Sequence, residues 1–305
     1  MQRPEPIVTI IVPGRDVEEF VPAALDSLRS QTETCWRAVL VDDGSVDGTG
    51  ELFAQAAQED ERFTLVRHEA SRGLGAARNA ALDLVETPYL GFLDADDEFT
   101  PTALERLCGT LERSGSDFVL GAYVRTRPDG AEYVAGPVQP WVAAATSPEQ
   151  LGTSLREHPE ASGNIVAWSK VSRTAFWAGR RFPEGVMYED QIVAQEMYTQ
   201  AQAFDVIPDV VVRWRVRASG TSITQGKDRL PVLRDYLAAL AGGLEVLRRA
   251  GETAAVDARL KLIRAMDLPP LEEIAATHRD PAYGEALEAF VRELDEVRSS
   301  PTGRV

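Results

Sequence analysis

The chain has 305 residues, of which 44% are hydrophobic and 26% are charged, so it carries enough apolar side chains for a packed core. Its 32 Lys and Arg residues against 48 Asp and Glu residues give a formal net charge of −16. Non-specific binding of nucleic acids or anionic membranes needs a broad positive field, which this composition excludes. No apolar run reaches the ~18 residues of a membrane span. We therefore expect a cytoplasmic protein with no transmembrane segment and no nucleic-acid partner.

Strand and helix patterns alternate along the first 123 residues. Short apolar runs predict five strands, at 7–12, 36–41, 63–66, 89–93 and 117–123. Helical patterns of roughly 10–15 residues separate these runs. Continuous apolar strands that alternate with helices are typical of a mostly parallel sheet covered on both faces, so we predict the α/β class. Open sheets of this kind bind their ligands at the carboxyl ends of the strands.

The pattern changes after residue 123. It predicts a hairpin turn at 128–130, a loop with short helical pieces at 137–165, a helix at 191–202 and one or two strands at 204–216. From about residue 228 onward the pattern is helical only. We therefore predict two domains, a sheet-forming domain at 1–225 and a helical appendage at 226–305.

The sharpest polar motif is Leu93-Asp94-Ala95-Asp96-Asp97, with three carboxylates in four residues directly after a predicted strand. Carboxylates this close oppose each other's ionisation, and a divalent cation removes that cost. Mg²⁺ and Mn²⁺ prefer oxygen ligands, typically one or two carboxylates completed by phosphate oxygens and water. The alternative is a solvated acidic turn in front of the helix that Thr100-Pro101 opens.

Two further motifs follow predicted strands. Val41-Asp42-Asp43-Gly44-Ser45 can accept hydrogen bonds from a nucleobase or a ribose, or it can be a tight turn only. Arg72-Gly73-Leu74-Gly75-Ala76-Ala77-Arg78-Asn79 is a Gly-rich turn that opens a helix, where backbone N–H groups and Arg78 can meet phosphate oxygens. The turn also imitates a dinucleotide fingerprint, which leaves an NAD(P)-binding oxidoreductase as an alternative. Against it, Arg78 stands where close helix–strand packing needs Gly or Ala.

These three motifs and Ile10-Ile11-Val12-Pro13 occur in the order and spacing of family 2 glycosyltransferases, which the chain resembles over residues 7–225. The resemblance implies a GT-A type sheet that binds a nucleotide-diphospho-sugar, with helices on its faces. It also implies a cytosolic, metal-dependent, inverting transfer of a sugar from a nucleotide donor, most often a UDP-sugar. Mn²⁺ or Mg²⁺ is the implied cofactor.

The resemblance also assigns roles to residues. Donor-binding residues are expected at Pro13, Asp16, Asp42, Asp43, Arg78, Asn79 and Asp94. Pro13 and Asp43 resemble base and ribose contacts, and Asp94 resembles the residue that binds the ribose or the sugar of the donor. Asp96 resembles the metal ligand that reaches the diphosphate. Asp16 departs from the family pattern, in which Asn is usual and a nearby Tyr stacks on the base.

An inverting transfer needs a general base that takes the proton of the acceptor hydroxyl. Met187-Tyr188-Glu189-Asp190 precedes a predicted amphipathic helix, and the resemblance points to Asp190 as the base and to Glu189 as a positioning residue. The alternative is that Asp190 merely caps that helix, a place where Asp is favoured.

The run Arg213-Trp214-Arg215-Val216-Arg217 places three guanidiniums on one face of a strand, because side chains alternate. Arg215 and Arg217 can hold the diphosphate of the donor, or a phosphate-bearing acceptor, through bidentate hydrogen bonds. The alternative is a charged edge strand that discourages aggregation. The segment through Gly220-Thr221-Ser222 resembles the active-site loop of teichoic-acid glycosyltransferases, which implies a cell-surface glycan or a polyol-phosphate acceptor.

A function of another class stays open at this point, a non-catalytic module that binds a nucleotide-sugar or serves as a scaffold. The complete set of acidic motifs argues against it, and the altered Pro13-Gly14-Arg15-Asp16 motif argues for it. For the helical appendage we expect either self-association into a homo-oligomer or docking of a long acceptor.

Overall fold

The computed structural model describes residues 5–129, 132–217 and 226–299. Its strands are β1 Val8–Gly14, β2 Trp36–Asp42, β3 Phe63–Arg67, β4 Tyr89–Phe92, β5 Glu98–Phe99, β6 Phe118–Asp129, β7 Glu132–Val138, β8 Gln150–Thr153, β9 Lys170–Arg173 and β10 Phe204–Arg215. Its helices are α1 Val21–Arg29, α2 Thr49–Glu59, α3 Leu74–Leu82, α4 Ala103–Ser114, α5 Pro140–Thr146, α6 Asp190–Gln200, α7 Leu230–Arg249, α8 Thr253–Leu262, α9 Leu268–Ala275 and α10 Pro281–Ser299.

The strands of the described residues form one sheet in the order β3-β2-β1-β4-β9-β6-β10-β5, with β7 paired to β6 and β8 to β10. Strand β9 runs antiparallel to both of its neighbours, β4 and β6. As a result β1, β2, β3, β4, β6 and β10 all point the same way. The predicted α/β class is confirmed. The sheet is mixed because β9 runs antiparallel between two parallel blocks and because β5, β7 and β8 also pair antiparallel. The carboxyl ends of the six co-directional strands meet at one edge, where the polar motifs lie.

Helices cover the sheet through apolar stripes that the sequence pattern predicts. Helix α4 buries residues at a spacing of three and four, including Leu104, Leu107 and Leu111. It ends at Gly115, whose φ of 79° is the left-handed conformation that a C-terminal cap adopts and that glycine reaches without strain. Strand β1 is buried along its full length, which is why it has no polar alternation.

The sequence pattern predicted either one or two strands at 204–216. The structure has one, because strand β10 continues across Pro208. Its pairing with β6 slips between Ile207 and Val210 and again between Val210 and Val212. A bulge tolerates a proline because the missing N–H is not needed there. The predicted hairpin is present as the antiparallel pair β6–β7, but Gly130 at its turn lies outside the described residues.

The C-terminal helices pack on the rest of the molecule through α6 and α7. The two helices approach closely because α7 carries two glycines at the contact: a Cβ at Gly242 would lie 2.7 Å from Cδ1 of Ile192, and one at Gly243 would lie 3.4 Å from the carbonyl of Gln191. The boundary predicted near 225 falls at residues 218–225, outside the described chain, and stays a prediction. Among the described residues, no helix combines the length and apolarity that crossing a bilayer requires.

Candidate active site

The acidic motifs lie side by side because their strands are neighbours. Gly14 at the end of β1 is in register with Asp42 at the end of β2, and the amide of Asp43 donates to the carbonyl of Gly14 at 3.1 Å. The amide of Ala95, just past β4, donates to the carbonyl of Pro13 at 3.2 Å. The sheet edge therefore brings the donor-binding residues predicted on three strands into one region.

Asp94, Asp96 and Asp97 each offer one carboxylate oxygen, and these oxygens all lie within 4.8 Å of one another. Burial, together with the charge of Asp94, raises the pKa of Asp96 above its ordinary value even though Arg217 opposes the shift. Burial and the charges of Asp96 and Asp94 raise the pKa of Asp97 well above its usual range. Three carboxylates that resist joint ionisation are a donor set suited to a hard divalent cation. Asp97 was not among the predicted ligands, although it stands in the same motif.

The arginine row of β10 contacts this cluster. Arg217 donates from Nε to Oδ2 of Asp96 at 2.9 Å, and its Nη2 forms an ion pair with the same oxygen at 2.8 Å. The backbone N–H of Arg215 donates to Asp97 at 2.8 Å, and its guanidinium pairs with Glu98. Nη1 of Arg213 lies 3.9 Å from Oε2 of Glu98. The three guanidiniums thus have carboxylate neighbours, which offset the repulsion between their like charges. Gly220-Thr221-Ser222 lies outside the described residues.

Arg78 joins the acidic cluster to the predicted base. It is only 1% exposed, and it donates from Nη2 to Oδ1 of Asp94 at 2.8 Å and from Nη1 to Oε1 of Glu189. Burial opposes the charged guanidinium, but Asp94, Glu189 and Asp190 outweigh it, and the pKa of Arg78 is raised. In this structure the predicted nucleotide-contacting arginine binds two carboxylates, one 16 residues and the other 111 residues further along the chain.

Glu189 and Asp190 stand at the start of α6. Tyr188, just before them, has a φ of 61°, a left-handed conformation that costs a bulky residue free energy and that clusters at functional sites. Asp190 is the first helical residue, and no side-chain cap bond forms at this helix start, so the capping alternative is wrong. Burial and the charge of Glu189 raise the pKa of Asp190 to about 7, although Arg78 and Lys170 lower it. A carboxylate with that pKa suits proton transfer near neutral pH.

Asp43 organises the loop that follows β3. Its two oxygens accept four hydrogen bonds: from the backbone of Arg72 and Gly73 at 2.9 Å each, from Ser71 at 2.7 Å and from Nδ1 of His68 at 2.7 Å. Burial opposes ionisation, yet these bonds lower the pKa of Asp43 overall. His68, which the sequence analysis did not single out, has a side chain only 8% exposed against Asp43.

The remaining predicted donor-binding residues have structural partners in this conformation. Asp42 accepts from the amide of Ser45 at 3.0 Å, and Asp16, with a φ of 51°, accepts from the amide of Val46 at 2.9 Å. Asn79 exchanges hydrogen bonds with the backbone N–H and C=O of Phe182, both at 2.9 Å. Their role in donor binding stays a prediction.

Lys170 is a buried cation that the sequence analysis missed. Its Nζ donates to the carbonyl and side-chain oxygens of Asn164 at 2.8 and 2.9 Å and to the carbonyl of Val166 at 2.7 Å. Burial lowers the pKa of Lys170 to about 7, against the opposing pull of Asp190. The side chains of Lys170 and Asp190 line the same small cavity.

A family model described as glycosyl transferase family 2 matches residues 9–176, which is more than half of the chain. The chain belongs to this family. A curated relative, the putative teichuronic acid biosynthesis glycosyltransferase TuaG of Bacillus subtilis (strain 168), is 30% identical over 126 residues, which cover 41% of this chain and 50% of the relative. For three curated relatives the matched segment spans 37%, 31% and 50% of the relative's own length.

Two solved structures share the fold. S. aureus TarS 1-349 in complex with UDP-GlcNAc superimposes with a TM-score of 0.71 at 19% identity, covering 95% of this chain and 83% of that one. The mannosyltransferase PcManGT from Pyrobaculum calidifontis, in complex with GDP-Man and Mn²⁺, gives a TM-score of 0.56 at 18% identity, covering 95% and 86%. The predicted GT-A type architecture with a helical C-terminal region is thereby confirmed.

Proposed function

We propose that the protein is an inverting glycosyltransferase that moves a sugar from a nucleotide-diphosphate donor, a UDP-sugar, to a hydroxyl of a cell-surface glycan or polyol-phosphate acceptor. One observation carries the proposal: Arg78 physically connects the carboxylate cluster at the end of β4 to the Glu189-Asp190 pair. The carboxylates that would bind the cation and the carboxylate that would accept the proton are thus held at fixed positions relative to each other. A single displacement at one carbon requires such positioning.

The donor would lie at the shared edge of β1, β2 and β4. This placement is supported by the likeness to TarS, which was solved with UDP-GlcNAc, and to PcManGT, which was solved with GDP-Man. Pro13 and Asp43 would meet the base and the ribose, with Asp16, Asp42 and Asn79 shaping the loops around them. Arg215 and Arg217 would release part of their pairing with the acidic residues to meet the diphosphate.

Asp94, Asp96 and Asp97 would hold a divalent cation, Mn²⁺ or Mg²⁺, with Asp96 as its principal ligand. The fit rests on the close approach of their oxygens and on the mutual repulsion that hinders their joint ionisation. Such a cation, when bound, neutralises the charge that develops on a departing nucleoside diphosphate.

Asp190 would accept the proton of the acceptor hydroxyl at a carboxylate oxygen. Glu189, held by Arg78, would fix the backbone at the start of α6 and so orient Asp190. The relative TuaG is described as a putative glycosyltransferase of teichuronic acid biosynthesis, which supports an acceptor that belongs to a cell-surface polymer.

The proposal is tested by incubating the full chain with a panel of nucleotide sugars, with Mn²⁺, with Mg²⁺ and with a chelator. Nucleotide release and ligand-induced thermal stabilisation are measured in parallel. We expect one UDP-sugar to stabilise the protein and to be turned over only with a cation. The variant Asp190→Asn should keep the stabilisation and lose the turnover.

A non-catalytic nucleotide-sugar module is the second candidate, and it would bind the donor with no release of nucleotide under any condition. The oxidoreductase alternative loses its basis, because the arginine in its glycine-rich turn is buried between two carboxylates. A division into units 1–225 and 226–305, a cytoplasmic location and self-association through the helical appendage stay proposals. Sedimentation of the full chain tests the last of these.

A further inference from the structure

Lys170, at the start of β9, is a buried cation that has no part in the mechanism described so far. It is 3% exposed, and its Nζ donates to the carbonyl and side-chain oxygens of Asn164 and to the carbonyl of Val166 at 2.8, 2.9 and 2.7 Å. Three donated hydrogen bonds need three N–H groups, which lysine has only in its ammonium form. Among the described residues, no carboxylate forms an ion pair with Lys170. The structure therefore holds a charged lysine whose hydrogen-bond partners are all neutral.

Lys170 and Asp190 line the same cavity, which has a volume of about 10 Å³. That is about the space of one water molecule. Among the described residues that line it, Lys170 is the one cation and Asp190 the one acid, and most of the others are apolar, such as Phe92, Trp177 and Met197. Charges act on each other strongly where little water screens them. The ammonium group of Lys170 therefore acts on the carboxylate of Asp190 across this cavity.

Helix α6 carries Asp190 on the face that packs towards Lys170. Residues at a spacing of three and four along this helix line the cavity, namely Asp190, Val193, Ala194 and Met197. Tyr198 continues this row. Its hydroxyl donates to the carbonyl of Asn164 at 2.9 Å, and its ring centroid lies 5.7 Å from Nζ of Lys170. Lys170, Asn164 and the buried face of α6 are thus packed together, so Lys170 also supports the helix that carries the proposed base.

Charged and titratable groups from several elements act on Asp190. They are Arg78, Asp94, Tyr123, Lys170, Tyr188 and Glu189. Burial raises the pKa of both tyrosines, which therefore stay neutral at neutral pH. Burial and the charges of Glu189 and Asp94 oppose the ionisation of Asp190, and the two cations favour it. Arg78 already donates hydrogen bonds to Asp94 and to Glu189. Lys170 is the cation of this group whose charge is not shared with another carboxylate.

We propose that Lys170 is a positioning residue for the transfer reaction, which packs the 164–166 segment against α6 and stabilises the deprotonated carboxylate of Asp190. The inference rests on the proposed function and adds to it a residue that keeps the base ready at neutral pH. The proton of the acceptor hydroxyl moves to a carboxylate oxygen of Asp190, and Lys170 keeps its own protons throughout.

The direct test is the pH dependence of kcat in Lys170→Gln and Lys170→Arg. The amide of Gln can still donate two hydrogen bonds to the 164–166 segment, but it carries no charge. Losing the charge should raise the pKa of Asp190, so the pH at half of the plateau should move upward by about one unit. Lys170→Arg keeps the charge and should keep the midpoint of the wild type. A lower plateau in Lys170→Gln with an unmoved midpoint would overturn the proposal.

Ser169→Ala is the matched control. The hydroxyl of Ser169 donates to Oδ1 of Asn164 at 3.0 Å, the same oxygen that Lys170 contacts. The variant therefore loosens the same segment and removes no charge. We expect a lower free energy of unfolding and an unchanged midpoint. A midpoint that moved as far in Ser169→Ala as in Lys170→Gln would assign the shift to the loosened segment and overturn the electrostatic role.

A second measurement needs neither turnover nor a stable variant of Lys170. The chain has three lysines, Lys170, Lys227 and Lys261, so ¹³C NMR of lysine-labelled protein can follow each side chain. Lys227→Arg and Lys261→Arg identify the signal of Lys170 by elimination. Because the attraction between two charges is mutual, Asp190→Asn should lower the pKa of Lys170 by about one unit. An unchanged pKa of Lys170 in Asp190→Asn would show that the two groups do not interact.

The two measurements separate the failure of this inference from the failure of the proposed function. If the wild type turns over a donor but neither the midpoint of kcat nor the pKa of Lys170 responds, the proposed function stands and the inference is wrong. If no donor is turned over under any condition but Asp190→Asn shifts the titration of Lys170, the two residues interact and the role of Lys170 in transfer is refuted together with the proposed function.

Discussion

Arg259 in α8 donates from Nη2 to Oε1 of Gln191, 68 residues earlier, at 2.8 Å. Both side chains are 5% exposed, and Gln191 directly follows the proposed base in the chain. The C-terminal helices therefore reach the first turn of the helix that carries Asp190. This hydrogen bond links the start of α6 to a segment that has none of the family's motifs.

Replacing Arg259 with Met should loosen the start of α6, because the buried amide of Gln191 loses its charged partner. A buried polar group left unpaired costs about 1–3 kcal/mol. We expect a lower free energy of unfolding by that amount and a turnover several-fold lower, with the Kd for UDP unchanged. Chemical denaturation, steady-state kinetics and calorimetry measure the three quantities.

Lys261→Met is the control for Arg259→Met, since Lys261 is an exposed cation on the same helix. It should leave all three quantities unchanged. If Arg259→Met lost stability but kept full turnover, the link from the appendage to the base would be structural only.

The polar motifs at the strand ends were predictable because each directly follows a strongly apolar run. Parallel strands bring their carboxyl ends to one edge of a sheet, so the motifs were expected to lie together. That reasoning placed Pro13, Asp43 and Asp94 together correctly. It could not place β9, a strand of four residues whose pairing depends on contacts far along the chain. Lys170 at the start of β9 was missed for the same reason.

The sequence pattern could not predict hydrogen bonds and ion pairs between segments that are far apart in the chain. The Gly-rich turn indicated that Arg78 meets an anion, but the phosphate that it suggested is replaced in this structure by Asp94 and Glu189. The alternation indicated a shared face for the arginines, and Arg213 and Arg215 of β10 do pair with the same residue, Glu98. Arg217 lies two residues past the end of the strand, and nothing local indicated its carboxylate neighbour, Asp96. The residue order in a strand predicts which side chains share a face. Only the tertiary fold determines which residues those side chains contact.

The activity should rise with pH through the titration of Asp190. A general base works when deprotonated, and burial with the charge of Glu189 raises the pKa of Asp190 to about 7. We expect kcat to increase from pH 5.5 to a plateau above pH 8, with half of the plateau near pH 7. Asp190→Asn should lower kcat by about 10²-fold or more and flatten this rise. A wild-type profile that is flat over this range would contradict the role of Asp190 as base.

The same titration has a consequence for stability. Because the pKa of Asp190 is higher in the folded state than its ordinary value of 3.8, the folded state binds a proton that the unfolded chain has released between those two values. Its contribution to stability is therefore present at acidic pH and is lost as the pH rises towards 7. Asp190→Asn should remove this slope, which denaturation midpoints at pH 5 and pH 7.5 can measure for both proteins.

Asp96 should couple cation binding to nucleotide binding. In the wild type we expect Mn²⁺ to tighten UDP binding at least tenfold, because a cation held by the acidic cluster would attract the negatively charged diphosphate. In Asp96→Asn this enhancement should fall to a few-fold or less, as calorimetry with and without Mn²⁺ will show. Asp26→Asn, an exposed carboxylate on α1 paired with Arg29, is the control and should keep the full enhancement. An unchanged enhancement in Asp96→Asn would remove Asp96 from the ligand set.

Arg78→Met tests how much the ion pairs of Arg78 with Asp94 and Glu189 contribute to the stability of the fold. Removing the guanidinium leaves Asp94 and Glu189 without their shared cation, and breaking a buried pair from one side costs about 3–5 kcal/mol. Denaturation at pH 7.5 should show a loss of that order. The loss should shrink when Glu189→Gln is added, because the neutral amide needs no counter-charge. It should also shrink at acidic pH, since burial already raises the pKa of Glu189 and the loss of Arg78 raises it further. If the loss of stability stayed the same in the double variant, Arg78 would stabilise the fold through its packing and not through its ion pairs. Its guanidinium lies 5.1 Å from the ring centroid of Phe182.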